Sequence, residues 1–408
     1  MNKNWVKRTA IFLGGQTATL FGSSVVQFGI SWHVTLSTQS GAMMTISILC
    51  GFFPQALISL VAGVWADRYS RKRLIMLADA AIAVCTAALA VLWAWGYTEM
   101  WLLFVISAVR SLGAGIQTPA VSAFLPDIVP QDQLMRVNAV NSTIQSVMFL
   151  AAPAVAGRLY RNFGLGTVFW VDVATAVIGI GLMLLLRMEK REKGKSEETK
   201  ARKQILPDMM AGVRYIRQTH WLRQMVWFYL LYMLMFGPVV FLTPLMVVRS
   251  FGAEPWRLEM HEIVFSAGSI AGGILLSLWG GFRNKTITLI VSAGAFGLAT
   301  FVMGFSTDFL FYLTVMGLMG IAMPFVNTSS MTVMQTRIDP DVLGRVLGLV
   351  SVIASTAMPL SMIVFGPLAD VVSVELQLVV TGLIMVAVAL LGLRAKAFIA
   401  AGEPLEGE

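Results

Sequence analysis

Charge is scarce in this chain. Of its 408 residues only 13% are Asp, Glu, Lys or Arg, while 57% are hydrophobic and the mean hydropathy is +0.76. A soluble domain is about a quarter charged, so too little polar surface remains for a water-soluble globule. Cysteine is almost missing too. Cys50 and Cys85 both fall inside apolar runs, which excludes a disulfide framework and a cysteine metal cluster. The three histidines, His33, His220 and His261, are dispersed, and none opens a His-Glu-xx-His zinc pair. No Walker sequence, nucleotide domain or aromatic cage is visible, and no alternating ten-residue pattern suggests a membrane barrel.

Long apolar runs are what the sequence has instead. Twelve segments of roughly 20 residues or more match a bilayer core of about 30 Å. They cover residues 9–35, 42–66, 74–95, 100–125, 136–158, 167–187, 223–248, 261–281, 286–305, 309–335, 342–368 and 375–394. A single segment in lipid can satisfy its own backbone hydrogen bonds only as a helix. The expected fold is therefore an all-α integral membrane protein with twelve transmembrane helices. The opening MNKNWVKR precedes an apolar run too long for a signal peptide, so it reads as a retained first span.

The net charge of +8 marks topology rather than a nucleic-acid partner. With both termini in the cytoplasm, inner segments hold 25 of the 30 Lys and Arg. Outer segments hold Arg158, Arg161, Arg249 and Arg257, and Arg110 alone lies within a span. Such a bias orients a membrane protein by the positive-inside rule.

Six spans precede and six follow the mixed-charge stretch RMEKREKGKSEETKARK. The expected organisation is an N-terminal six-helix bundle over 1–187, a cytoplasmic linker over 188–222 and a C-terminal six-helix bundle over 223–408. Within the linker, ILPDMMAGVRYIRQTHWLRQM mixes apolar and basic residues as an amphipathic surface helix does. An internal echo supports duplication: Asp132, Leu134, Arg136 and Val137 recur as Asp341, Leu343, Arg345 and Val346, 209 residues later. Paired six-helix repeats point to two pseudo-symmetric bundles and alternating access.

Charge is densest in GVWADRYSRKRL, between the second and third spans. Gly63, Asp67, Arg68, Arg71 and Lys72 resemble the loop signature of the major facilitator superfamily, with Ser70 at the usual second glycine. AVRSLGAGIQTPA, carrying Arg110, Gly113 and Gly115, resembles the fourth-helix signature of the same superfamily. Together with FGSSVVQFGI, GAMMTISILCGFFPQALIS and DVLGRVLGL, these stretches resemble the bacterial macrolide-efflux, or Mef-type, branch over nearly the whole chain. The resemblance implies export of macrolide-like amphipathic drugs at the expense of the proton gradient, with no cofactor, and a place in the bacterial cytoplasmic membrane. The fifth-span ending Gly-Pro-xx-Gly-Gly, common in drug antiporters of the superfamily, here reads Ala152-Pro153-Ala-Val-Ala156-Gly157.

The individual residues divide by chemistry. Asp67 can cap a helix or pair with a base, while Arg68, Arg71 and Lys72 can grip carbonyls or acids on neighbouring helices as a gating latch. Lipid headgroups are the simpler partners for the same bases. Arg110 stands about 15 Å into its span, where a lone Arg costs about 2.5 to 3.5 kcal/mol and must face the bundle interior. Gln16 and Gln27 are possible neighbours. Arg cannot release a proton, so an acid or His must, and Asp172, Glu262, His261, Asp79 and His33 are the choices. Arg110, Asp172 and Glu262 are the coupling candidates; Asp172 reads equally as a helix-packing group and Glu262 as a helix-end cap. Gln27, Tyr232, Met233, Phe236 and Asn327 are substrate-cavity candidates, although any one of them more often faces lipid or fills the bundle. Gly268 and Gly272 have the spacing of close helix packing.

The expected partners are a small amphipathic substrate and membrane lipids, with a monomer sufficient. Export of a defined metabolite or siderophore fits the same scaffold. A membrane-embedded enzyme is the remaining alternative, but it needs a nucleophile, acid or metal constellation, so the expectation is a transporter.

Overall fold

A computed structural model describes residues 4–186 and 205–404. Side chains at 4, 60, 63, 64, 67, 132, 135, 149, 205–209 and 341 lie outside the described set, as does the expected linker up to 204. Gly63 and Asp67 of the charged turn are among them.

Every described element is helical. The first half runs α1 (Asn4–Thr38), α2 (Gly41–Arg68), α3 (Arg71–Ala94), α4 (Met100–Ile128), α5 (Leu134–Phe163) and α6 (Leu165–Leu185). After α7 (Ile205–Gln218) come α8 (His220–Met246), α9 (Pro255–Trp279), α10 (Lys285–Met303), α11 (Phe309–Arg337), α12 (Pro340–Leu368) and α13 (Val374–Arg394), then the short α14 (Lys396–Ala400). Among the described residues eleven helices are long and apolar enough to cross a membrane. By length α1, at 35 residues, makes a twelfth; Gln16, Ser23, Ser24 and Gln27 dilute its apolar run. The chain is a multi-pass helical membrane protein.

Local chemistry sets the helix ends. Gly164 at φ 76° closes α5, and Gly280 at φ 75° closes α9 in the left-handed conformation that glycine adopts without strain. Asn284 accepts from the Ile287 amide at 3.1 Å to start α10. Asp308 accepts from the Leu310 and Phe311 amides at 2.8 and 3.1 Å to start α11. Pro255 begins α9, where its missing N–H costs nothing.

The helices form two compact units. One comprises Met1–Thr38 and Ile46–Glu198; the other comprises Gln39–Thr45 and Thr199–Glu408. In the first unit α1 packs on α5 and α6, and α3 on α4 and α6. In the second, α8 packs on α12 and α13, and α10 on α11 and α13. Counted within each half, the pairings of the first span with the fifth and sixth, and of the third with the fourth and sixth, thus recur. The sequence echo has a structural counterpart: Val137 and Val346, one near the start of each fifth span, are both buried. The amphipathic segment forms α7 and packs on α8 and α12 within the second unit.

Small residues let the spans approach closely. A Cβ on Gly15 would lie 3.2 Å from the Gly179 carbonyl oxygen, and one on Gly22 would lie 3.0 Å from the Asp172 Cα, so α1 and α6 meet backbone to backbone. On α9, a Cβ at Gly268 or Gly272 would lie 2.3 or 2.2 Å from a carbonyl oxygen of α11, the close packing their spacing predicts.

Candidate functional site

The charged turn works at helix ends. Three helices of the first unit finish beside it and present carbonyls at or near their ends, of which the last four in any helix lack a partner within it. Arg71, in the first turn of α3, donates Nε to the Ala66 carbonyl of α2 at 3.2 Å. Its Nη1 reaches the Ala123 carbonyl of α4 at 2.6 Å and the Asp127 carboxylate at 2.8 Å. Lys72 Nζ donates to the Leu186 carbonyl, at the end of α6, at 2.6 Å. Cations at helix C-termini are where the macrodipole favours them. Arg68 is exposed. Beneath the turn, Phe12, Ile75, Phe124, Val137 and Met183 form a buried apolar cluster.

Deeper in the same unit, Arg110 of α4 pairs with Asp172 of α6. The two side chains are 8% and 2% exposed. Arg110 Nη1 donates to an Asp172 oxygen and also to Thr86 Oγ1 of α3 at 2.6 Å, while Nη2 reaches the Ser23 carbonyl of α1 at 3.3 Å. Ser23 Oγ in turn donates to the other Asp172 oxygen at 3.3 Å. One ion pair therefore ties four helices together. Gln16 and Gln27 are not Arg110's partners. The glycines of α1 explain the geometry: Gly22 lets α1 lie against the Asp172 backbone, which brings Ser23 within reach of both charges.

A second polar rung lies below the first. Gln117 Nε2 donates to Asp79 Oδ1 at 2.6 Å. Asp79 is seven residues before Thr86 on α3, and Gln117 is seven residues after Arg110 on the antiparallel α4. Seven residues of helix rise about 10.5 Å, so the two rungs share one helix face two turns apart. Gly113 keeps the helices close between them, since a Cβ there would lie 2.5 Å from Ile82.

The other nominated residues are dispersed. Glu262 of α9 lies in the second unit, 3.8 Å from His261 Nε2, and His261 Nδ1 is 2.7 Å from the Tyr312 hydroxyl. Tyr232 and Phe236 of α8 are buried against Phe228 and Phe296 in the aromatic interior of that unit, and Met233 is buried beside them. Asn327 on α11 and Gln27 on α1 are exposed. In the first unit a largely apolar groove of about 1080 Å³ runs between α1 and α5, lined by Trp5, Leu13, Phe21, Val140 and Met148, with Arg136 among its few charged or polar groups. No nominated cavity residue borders it.

A capped helix start stands apart from all of these residues. Asp370, just beyond α12, accepts from the amides of Gly41 and Ala42 at 2.7 and 3.0 Å and from Ser40 Oγ at 2.8 Å. Arg249 Nη2 sits 3.0 Å from the same carboxylate. These residues all belong to the second unit, which includes Gln39–Thr45. Sequence spacing carries no signal of it, because the acid and the helix start it caps are more than 300 residues apart.

The model of the Major Facilitator Superfamily matches residues 11–361. The chain belongs to this superfamily. Its facilitator fold also appears in a solved POT family peptide transporter in an auto-inhibited form, at a TM-score of 0.70 and 12% identity, with 96% of each chain covered. Among curated facilitator relatives, Macrolide efflux protein A of Streptococcus pyogenes is 28% identical over 390 residues, 95% of each chain. Multidrug efflux pump Tap of Mycobacterium tuberculosis is 23% identical over 380 residues, 90% of this chain and 89% of Tap.

Proposed function

We propose that this facilitator exports amphipathic, macrolide-like compounds by alternating access, in exchange for protons. The similarity to a macrolide efflux protein along almost the whole chain supports the substrate class. The Arg110–Asp172 pair carries the coupling reading. It is a buried ion pair whose partners come from four separate helices, so a change of charge beside it alters the packing of the whole unit. Moving Arg110 away would leave the Asp172 carboxylate buried without its cation, so the pair holds the four helices in one arrangement only while it is intact. Glu262 beside His261 supports a titratable site in the second unit, and Asn327 and Gln27 are exposed polar groups for a solute. The 25 Lys and Arg of the inner segments support cytoplasmic termini and an inner placement of the charged turn. Membrane lipids surround a monomer in this reading.

The test is flux into proteoliposomes under an imposed pH gradient, with a macrolide as solute and an ionophore as control. Gradient-driven accumulation that the ionophore abolishes is the expected result. Accumulation indifferent to the gradient would exclude proton exchange, and no macrolide movement under any gradient would exclude the substrate class.

A further inference from the structure

Asp79 is 4% exposed, and only one of its carboxyl oxygens is satisfied. Oδ1 accepts from Gln117, while Oδ2 is buried without a hydrogen-bond partner. Among the described residues no base pairs with it, since Arg110 is committed to Asp172, Thr86 and the Ser23 carbonyl. A carboxylate with a bare oxygen inside a membrane helix bundle is strongly disfavoured, whereas one added proton removes its charge. Asp172 differs, with a cation on one oxygen and a hydroxyl on the other.

The surroundings favour a proton that comes and goes. Asp79 stands eight residues, about 12 Å, from the start of α3 at the charged turn, between that turn and the Arg110 rung. From α4 it faces Gln117, with Arg110 two turns beyond. From α6 the Asp172 carboxylate stands at the Arg110 rung, held by that guanidinium. From α1, Gln16 is 3% exposed, and its Nε2 is also buried without a partner. On that helix Gln16 falls between Phe12, which packs on Phe124, and Ser23, which meets Arg110, so it lies near the depth of Gln117. Among the described side chains of α2 there is no acid, His, Lys or Arg before Arg68.

We infer that Asp79 is the acid that carries the exchanged proton, with Gln117 holding its carboxyl in place and the Arg110–Asp172 pair sensing its charge. On release, the O–H bond at Oδ2 breaks, the proton passes to water, and the carboxylate keeps the Gln117 amide. On uptake the reverse step restores the neutral acid. This inference rests on the proton-exchange reading and adds its site.

The experiment compares wild type, Asp79→Asn, Asp79→Glu and Asp172→Asn in two measurements. Infrared difference spectra between acidic and alkaline buffer read the protonated-carboxyl C=O band directly. Proteoliposome flux reads gradient-driven accumulation, with membrane abundance and thermal stability checked for each variant. We expect Asp79→Asn to delete the titrating carboxyl band and to lower gradient-driven accumulation by about tenfold, and Asp79→Glu to restore both in part. An undiminished band in Asp79→Asn overturns the assignment, as does gradient-driven accumulation within about twofold of wild type; the exchange reading survives either result. A wild type that accumulates solute without regard to the gradient defeats the exchange reading and this site with it.

Discussion

Arg71 Nη1 lies 2.8 Å from Asp127 Oδ2 and 2.6 Å from the Ala123 carbonyl oxygen, so one guanidinium closes the end of α4 through both backbone and side chain. The third contact, to the Ala66 carbonyl, ties the end of α2 to the same group. A planar fork can serve three acceptors at once where an ammonium on a shorter reach cannot. Arg71→Lys should therefore lower stability by about 1 to 3 kcal/mol, read as a fall in the thermal unfolding midpoint in detergent. Asp127→Asn, which keeps the shape and removes the charge, should cost less. Equal losses from both would show that the carboxylate, rather than the carbonyls, is the essential partner.

Removing one member of the Arg110–Asp172 pair leaves the other as an uncompensated buried charge. Asp172→Asn should destabilise the protein by about 3 to 5 kcal/mol. The double change Arg110→Met with Asp172→Leu should recover much of that, because apolar side chains of similar volume often replace a buried pair without loss. The double variant should nevertheless fail to accumulate macrolide against a gradient. Recovered stability with recovered transport would reduce the pair to packing.

How much of this was legible in the sequence depends on the range of the interaction. Span number and the duplicated plan follow from hydropathy and from the echo of Arg136–Val137 in Arg345–Val346, since both are local patterns repeated along the chain. Arg110 and Asp172 each stood out as charges inside apolar runs, but their pairing did not, because α4 and α6 meet through tertiary packing that periodicity does not encode. Arg71 and Lys72 were visible as charges with free choice of partner, and the partners are mostly main-chain carbonyls, which carry no residue-type signal. Tyr232 and Phe236 show the converse limit: aromatic side chains on a membrane helix look alike whether they line a cavity or, as here, stack on Phe228 and Phe296.

The glycine contact between α9 and α11 gives a steric prediction. A side chain at Gly272 would strike the Ile321 carbonyl and backbone, which cannot rotate away. Gly272→Val should force the helices apart and cost about 1 to 3 kcal/mol, while Gly273→Val, whose Cβ meets nothing within 4 Å, should be tolerated. Thermal unfolding of the two variants side by side checks this, and similar losses would remove the packing argument.

The Asp370 cap predicts a pH response of definite sign. Burial by itself would raise the Asp370 pKa, yet the Ala42 and Gly41 amides, the Ser40 hydroxyl and Arg249 together hold it below the ordinary value of 3.8. A carboxyl held lower in the folded protein than in the unfolded chain contributes its full stabilisation above the unfolded value and loses it as the pH falls through the folded one. The start of α2 should therefore keep its amide protection near neutral pH and lose it below about pH 4. Hydrogen exchange at Gly41 and Ala42, corrected for intrinsic rate, measures this directly. Asp370→Asn retains an acceptor oxygen but no charge, so its protection should be weaker at neutral pH and nearly flat with acid. Protection in the wild type that is equally flat would mean that Ser40 and the Arg249 contacts to the Gln39 and Ala369 carbonyls hold the segment without the carboxylate.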